Sequence, residues 1–217
     1  MTTHRARIYT GFERFWHWTQ ALLIIILMVT GFEIHGSYSL LGYETATRVH
    51  TFVAWAFIGL IAFAIFWHLT TGAWRQYVPS QDRGVFIQGR YYLYGIFKSE
   101  AHPYRKTELS KLNPLQKATY LGFKILIVPV MVTTGLLYMY FNSWPDWMPF
   151  SLGFVATIHA IGAFLLVIFL IVHVYMTTTG STPVANIEAM ITGYEDIEDD
   201  SDSEPTKGAD DEPVPVA

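Results

Sequence analysis

The sequence predicts an all-α integral membrane protein: a four-helix bundle with both termini cytoplasmic and a disordered acidic C-terminal tail. Three observations predict it. Four apolar runs are each long enough to cross about 30 Å of hydrocarbon. The composition is 52% hydrophobic and only 15% charged, poor in charge for a soluble domain. Charge is also segregated. From Glu188 onward there are eleven acidic residues and one lysine, whereas thirteen Lys/Arg face seven Asp/Glu before it. Cysteine is absent, which excludes disulfides, thiolate metal sites, iron–sulfur clusters and covalently attached c-type haem.

Residues 1–14 form a short cytoplasmic segment carrying Arg5, Arg7 and Arg14. The first span is Phe15–Ile34, about twenty residues without a small-residue cleavage site, so it is expected to be retained rather than removed as a signal. The second is Val49–Thr71. The third is Leu115–Phe141, with Lys117 and Lys124 in its first turns, and the fourth is Gly153–Thr177. Each is apolar on all faces, as suits helices in lipid. The loop at 72–114 carries Arg75, Arg83, Arg90, Lys98, Arg105, Lys106 and Lys111, while loops 35–48 and 142–152 hold only Arg48. The excess of basic residues puts the long loop and both termini in the cytoplasm of a bacterial cell. Trp16, Trp18, Trp67, Trp74, Trp144 and Trp147 mark the span ends as an aromatic belt. Within the long loop, Gly84–Ser99 mixes aromatics with Arg90 and Lys98 and suits a helix lying in the interface. The membrane domain thus runs over 15–180. Residues 181–217, acidic and rich in Pro and Ser, are expected to be disordered, above all beyond Tyr194. No internal repeat is visible, and nucleic acid is not an expected partner.

Eight histidines are present: His4, His17, His35, His50, His68, His102, His159 and His173. Ionisable groups in a span are costly and mark function by default. His159 and His173 are 14 residues apart, which on a helix is about 21 Å of rise and only about 40° short of four turns. They point from nearly one face, one toward each edge of the bilayer. With the spans alternating in direction, His50 shares the outer level with His159, and His17 shares the inner level with His173. His68, five turns after His50, reaches that same inner level, and depth alone does not choose between it and His17. Two histidines facing each other across a bundle suit a low-spin haem with two axial imidazoles. Zinc would need three or four converging ligands, a proton relay would need interleaved carboxylates, and a transporter would need broken helices; none is visible. Gly31, Gly59, Gly122, Gly135 and Gly162 suit either a flat macrocycle or close helix packing. Arg14 and Arg48 are candidates to pair with haem propionates, although Arg14 equally suits an ordinary cytoplasmic anchor. His4, His35 and His102 fall in loops and carry no assigned role.

Taken in order, these residues resemble the membrane cytochrome b subunits of formate dehydrogenase, thiosulfate reductase and nickel–iron hydrogenase. The resemblance covers about residues 10–180. It rests on Arg14-x-x-His17-Trp18 with Thr30-Gly31, on Arg48-x-His50, on Asn113-Pro-Leu-Gln116-Lys117 with Thr134-Gly135, and on the His159/His173 pair. It implies two b-type haems, the inner on His17 and His173 and the outer on His50 and His159. In the formate dehydrogenase type a Trp-His also ends the second span without ligating haem, and Trp67-His68 looks like it. The resemblance further implies a menaquinone or ubiquinone site near Asn113 and Gln116, to which His68 is a candidate contributor. Asn113 and Pro114 also suit a helix start. The implied function is electron transfer between the quinone pool and a periplasmic catalytic or multihaem subunit. Trp144-Pro145-Asp146-Trp147 offers that partner an apolar docking surface, and an aromatic belt explains it as well. The chain would serve as a subunit of a respiratory oxidoreductase rather than a self-sufficient enzyme. A stand-alone quinol-oxidising cytochrome and an anchor with structural haems stay open at this level.

Overall fold

The computed structural model describes residues 3–78, 84–100, 103 and 111–198. Arg83, His102, Arg105 and Lys106 of the long loop, and residues 199–217, lie outside them.

Four helical spans are observed. α1 is Gly11–Ile34 and α2 is Tyr43–Thr71. After the short helix α3, Gly84–Leu93, the third span is built from α4, Pro114–Gly122, a π-helical turn at Phe123–Ile127, and α5, Val128–Met139. α6 is Leu152–Thr177 and α7 is Ala185–Thr192. α1 packs along α2, and α5 along α6, as two antiparallel hairpins. The hairpins meet through Phe32 and Phe164, whose rings lie 5.4 Å apart edge to face, and around a small apolar gap lined by Ile24, Met28, Phe57, Phe123 and Leu166.

The ends are set by local chemistry. Thr10 and Glu13 form a reciprocal capping box: the Glu13 amide donates to Thr10 Oγ1 (3.3 Å) and the Thr10 amide to Glu13 Oε2 (2.7 Å). Glu33, near the far end of α1, accepts from the amides of Leu40, Leu41 and Gly42 at 2.7, 2.6 and 2.8 Å. One carboxylate thus folds the loop back and launches α2, which begins six residues before the expected span and so includes Arg48. α2 ends at Gly72 in the left-handed conformation (φ +73°), a helix stop that favours glycine. Ser151 caps α6 by accepting from the Phe154 amide (3.2 Å).

Within the stretch Gly84–Ser99, expected to form a helix, α3 covers Gly84–Leu93. Gln88 and Tyr92 are buried on one side, while Phe86 is 83% and Leu93 82% exposed on the other. The mostly helical architecture is as expected, and part of the stretch from 181, expected to be disordered, is ordered as α7 and a short strand. β1, Thr3–Arg7, pairs antiparallel with β2, Tyr194–Glu198, in a register that sets Arg5 opposite Asp196. Across the ladder one acidic residue, Asp196, faces a basic one, Arg5, and opposite charges facing each other stabilise such a pair. Ala6 and Ile8 are buried behind it, packed with Tyr9. The pairing puts the first and last described residues at the same end of the bundle.

Gly193 makes the connection from α7 to β2. It has φ +91°, and its carbonyl accepts from the amides of Ile8 and Tyr9 at 2.9 and 3.1 Å. A Cβ there would come within 2.8 Å of the Tyr9 carbonyl oxygen. Gly193→Ala therefore combines a left-handed penalty of about 1–2 kcal/mol with a backbone clash. The expected outcome is an opened sheet, read as faster tryptic cleavage after Arg5 and Arg7 in the detergent-solubilised protein with the spans unaffected.

Candidate functional site

Near the end that carries the termini, α1 and α6 bring the rings of His17 and His173 to a centroid separation of 6.0 Å, with planes inclined by 49°. Nδ1 of His17 is buried and has no hydrogen-bond partner. Phe169 stacks on His173 at 5.7 Å with planes 5° apart, and Phe123 stacks on Phe169 at 4.7 Å. A metal ion between two imidazoles, with bonds to nitrogen of about 2 Å each, requires ring centres roughly this far apart. Among the described residues no group of three or more His, Cys, Asp or Glu converges on one point, so the zinc reading gains nothing.

At the opposite end the histidines are His50 and His159, and each is held by a threonine of the preceding span. Thr30 Oγ1 lies 2.9 Å from His50 Nδ1, and Thr134 Oγ1 lies 2.9 Å from His159 Nδ1. Gly31 and Gly135 adjoin these threonines. A Cβ at either would stand 3.3 Å from Cε1 of the respective imidazole, so the absent side chain is what lets each ring lie against the neighbouring helix. Gly162 instead receives Met131, whereas Gly59 and Gly122 face open space. The arrangement of Thr-Gly on one helix and histidine on the next occurs in both hairpins. This is a structural repeat invisible in the sequence, because the spacings differ.

His68 does not join His17 and His173. Its Nδ1–H donates to the Ala64 carbonyl one turn earlier (2.6 Å), and its Nε2 is buried without a partner. The ring sits among Trp16, Trp67 and Tyr77 at 5.2–5.5 Å. Lys124 shares this aromatic box, with Nζ 3.1 Å from the centre of the Tyr77 ring and 4.8 Å from that of Trp16. Lys124 is a residue that sequence reasoning passed over as an ordinary first-turn lysine. It sits in the π-helical turn, a deviation that often marks a functional segment.

The two arginines are engaged elsewhere. Arg14 donates to the Ile191 carbonyl (2.5 Å) at the end of α7, and Trp18 donates to Met190 O (3.1 Å), so both fasten α7 to α1. Arg48 pairs with Glu44 one turn earlier at 2.6 Å, on an exposed face. Asn113 and Gln116 form a second capping box: the Gln116 amide donates to Asn113 Oδ1 (2.8 Å) and the Asn113 amide to Gln116 Oε1 (3.0 Å). Asn113 also donates through Nδ2 to the Tyr92 hydroxyl (3.3 Å). Both line a cleft of about 340 Å³ with Tyr91, Tyr92, Asn186 and Glu195, in the range of small-molecule sites. His68 is not among its lining residues. From α4, Tyr120 reaches inward to within 6.2 Å of the His173 ring. Beside the same end, Lys111 pairs with Glu13 at 3.1 Å. Burial, followed by the charge of Glu13, pushes the nearby Tyr77 hydroxyl above its ordinary range, so it stays protonated at neutral pH. On the opposite face Trp144 turns back to donate to Leu137 O (2.9 Å), while Trp147 is 78% exposed.

Residues 8–193 match the family described as prokaryotic cytochrome b561. The chain is 31% identical to the putative cytochrome YdhU of Escherichia coli (strain K12), over 89% of this chain and 76% of that protein. It is 27% identical to the probable Ni/Fe-hydrogenase B-type cytochrome subunit of Rhodobacter capsulatus, over 89% of this chain and 82% of that protein. It is 24% identical to the probable Ni/Fe-hydrogenase 1 B-type cytochrome subunit of Escherichia coli (strain K12), over 83% and 86%.

The capping role of Asn113 separates from its place in the cleft by substitution. Asn113→Ala removes the cap and is expected to cost about 1 kcal/mol, seen as a lower melting temperature in detergent. Asn113→Ser keeps a capping oxygen but loses the Nδ2 donor, and its melting temperature is expected to stay near that of the parent.

Proposed function

The chain belongs to the prokaryotic cytochrome b561 family, as a multi-pass b-type haem cytochrome of the bacterial inner membrane related to hydrogenase b-type cytochrome subunits, and from that premise we propose that it carries electrons between the quinone pool and a periplasmic oxidoreductase or multihaem subunit through two haems. The observation that carries this reading is the His17–His173 pair, whose rings stand 6.0 Å apart. His17 and His173 hold the inner haem, toward the chain's termini, and His50 and His159 hold the outer one. Haem supplies one-electron chemistry in the iron. The chain would supply the ligand nitrogens, their orientation and an apolar surround. His159 and His173 are about 21 Å apart along α6.

The cleft at Asn113 receives the quinone headgroup. Asn113 Nδ2 is a hydrogen-bond donor within it, donating to the Tyr92 hydroxyl in this structure, and Gln116 fixes the backbone from which Asn113 projects. Tyr120, on the same helix as Gln116, brings this site close to His173. The pair Lys111–Glu13 stands at the cytoplasmic edge, where a proton released or taken up by the quinone would exchange. Menaquinone and ubiquinone are both compatible with this chemistry. At the periplasmic face the exposed Trp147 offers an apolar anchor to a partner subunit. The hydrogenase cytochromes, subunits by name, support a partner of that kind.

A reduced-minus-oxidised spectrum with a haem assay on the purified protein tests this. Two b haems per chain are expected, falling to one in His17→Ala and in His159→Ala and staying at two in His68→Ala. A parent protein without haem, or a His68→Ala variant that loses the inner haem while His17→Ala retains it, would overturn the assignment. Asn113→Ser should raise the KM for a quinol analogue several-fold without changing haem content.

A further inference from the structure

We infer that Thr30 and Thr134 are positioning residues that fix the tautomer of both outer histidines and make them stronger electron donors to whatever metal centre they hold. The argument rests on the outer pair of the proposed function and on the count of protons at each threonine. Thr30 Oγ1 lies 2.7 Å from the Ile26 carbonyl as well as 2.9 Å from His50 Nδ1. Thr134 Oγ1 lies 2.6 Å from the Val130 carbonyl and 2.9 Å from His159 Nδ1. A hydroxyl has one proton to donate and lone pairs to accept with. A carbonyl oxygen can only accept, so the hydroxyl proton goes there. The threonine oxygen is then an acceptor toward the imidazole, and Nδ1 must carry the hydrogen. Nε2 is left with its lone pair in both rings.

The geometry is the same in two unrelated stretches of sequence. Each threonine is followed by a glycine whose missing Cβ, 3.3 Å from Cε1, makes room for the ring it bonds. A hydrogen bond accepted from Nδ1–H shifts electron density toward Nε2 and raises the basicity of the ligand. At the inner pair His17 Nδ1 has no such partner. The oxidised, more positive state of the outer centre is therefore favoured, and its reduction potential lowered, by two hydrogen bonds that the His17 side of the inner centre lacks.

The test uses Thr30→Val, Thr134→Val and the double variant, with Thr→Ser at each position as the conservative control. Valine fills nearly the same volume without an acceptor, and serine keeps the acceptor while losing a methyl group. Spectroelectrochemical titration should show the outer haem, identified by its absence in His159→Ala, shifting to higher potential in each valine variant. The double variant should change the reduction equilibrium by about tenfold, or about 59 mV for one electron. The inner haem should not move, and the serine variants should stay near the parent. Loss of the outer haem from the valine chains with retention in the serine chains counts equally for the inference. An unchanged outer potential in the double valine variant, or serine variants that shift as far as valine, would overturn it. A parent protein with no outer haem sinks the proposed function instead. In that case nitrogen NMR of ¹⁵N-histidine in the haem-free chain still reads the tautomer, and protonated Nε2 at His50 or His159 would overturn the inference.

Discussion

An imidazole inside hydrocarbon has two nitrogens, and the bilayer offers neither of them a partner. Each must therefore be answered by the protein or by something the protein binds. This requirement orders most of the membrane domain. At His50 and His159 one nitrogen is answered by a threonine on the neighbouring helix. At His68 one is answered by the carbonyl a turn behind it. At His17 a buried nitrogen is answered by nothing in the chain. The placement of Gly31 and Gly135 and the relative rotation of the helices that carry them follow from these bonds. A helix that supplies a threonine to its neighbour's histidine has little freedom to turn.

Charged groups at the helix ends hold backbone rather than ligands. Glu33 gathers three consecutive amides and shapes a tight connection between α1 and α2. Near the termini, Arg14 and Trp18 reach across to the last carbonyls of α7, where a cation and a hydrogen-bond donor complement the negative end of the helix. The antiparallel sheet of β1 and β2 then ties the first residues of the chain to residues nearly two hundred positions later. The amphipathic helix α3, buried through Gln88 and Tyr92 and apolar outward, closes the remaining side.

What the sequence made legible were quantities that a single chain carries in one dimension. Span length, the depth of each histidine and the capping pattern at Asn113 depend on neighbours within a few turns, and they were readable. The partner of Arg14 was not. Ile191 O lies far along the chain and nothing local announces it, whereas the Arg48–Glu44 pair is an ordinary one-turn contact within α2. The strand at Tyr194–Glu198 was hidden for the reverse reason: its composition is that of a solvated tail until β1 is laid beside it. The threonine–histidine bonds were missed because they join residues 20 and 25 positions apart on different helices. Thr30-Gly31 and Thr134-Gly135 were visible as recurring dipeptides, but nothing local said which histidine each would meet.

The π-helical turn at Phe123–Ile127 divides the third span into two lengths of helix whose azimuths are independent. A residue advances an α-helix by about 100°, so one extra residue within a turn rephases everything beyond it. Upstream, the phase is set by the demand that Asn113, Gln116 and Tyr120 face the cleft and the inner histidines. Downstream, it is set by the demand that Thr134 and Gly135 face His159. A uniform helix would have to satisfy both with a single rotation. The wide turn works as a phase adaptor, offsetting the upstream face from the downstream one so that each meets its own partners.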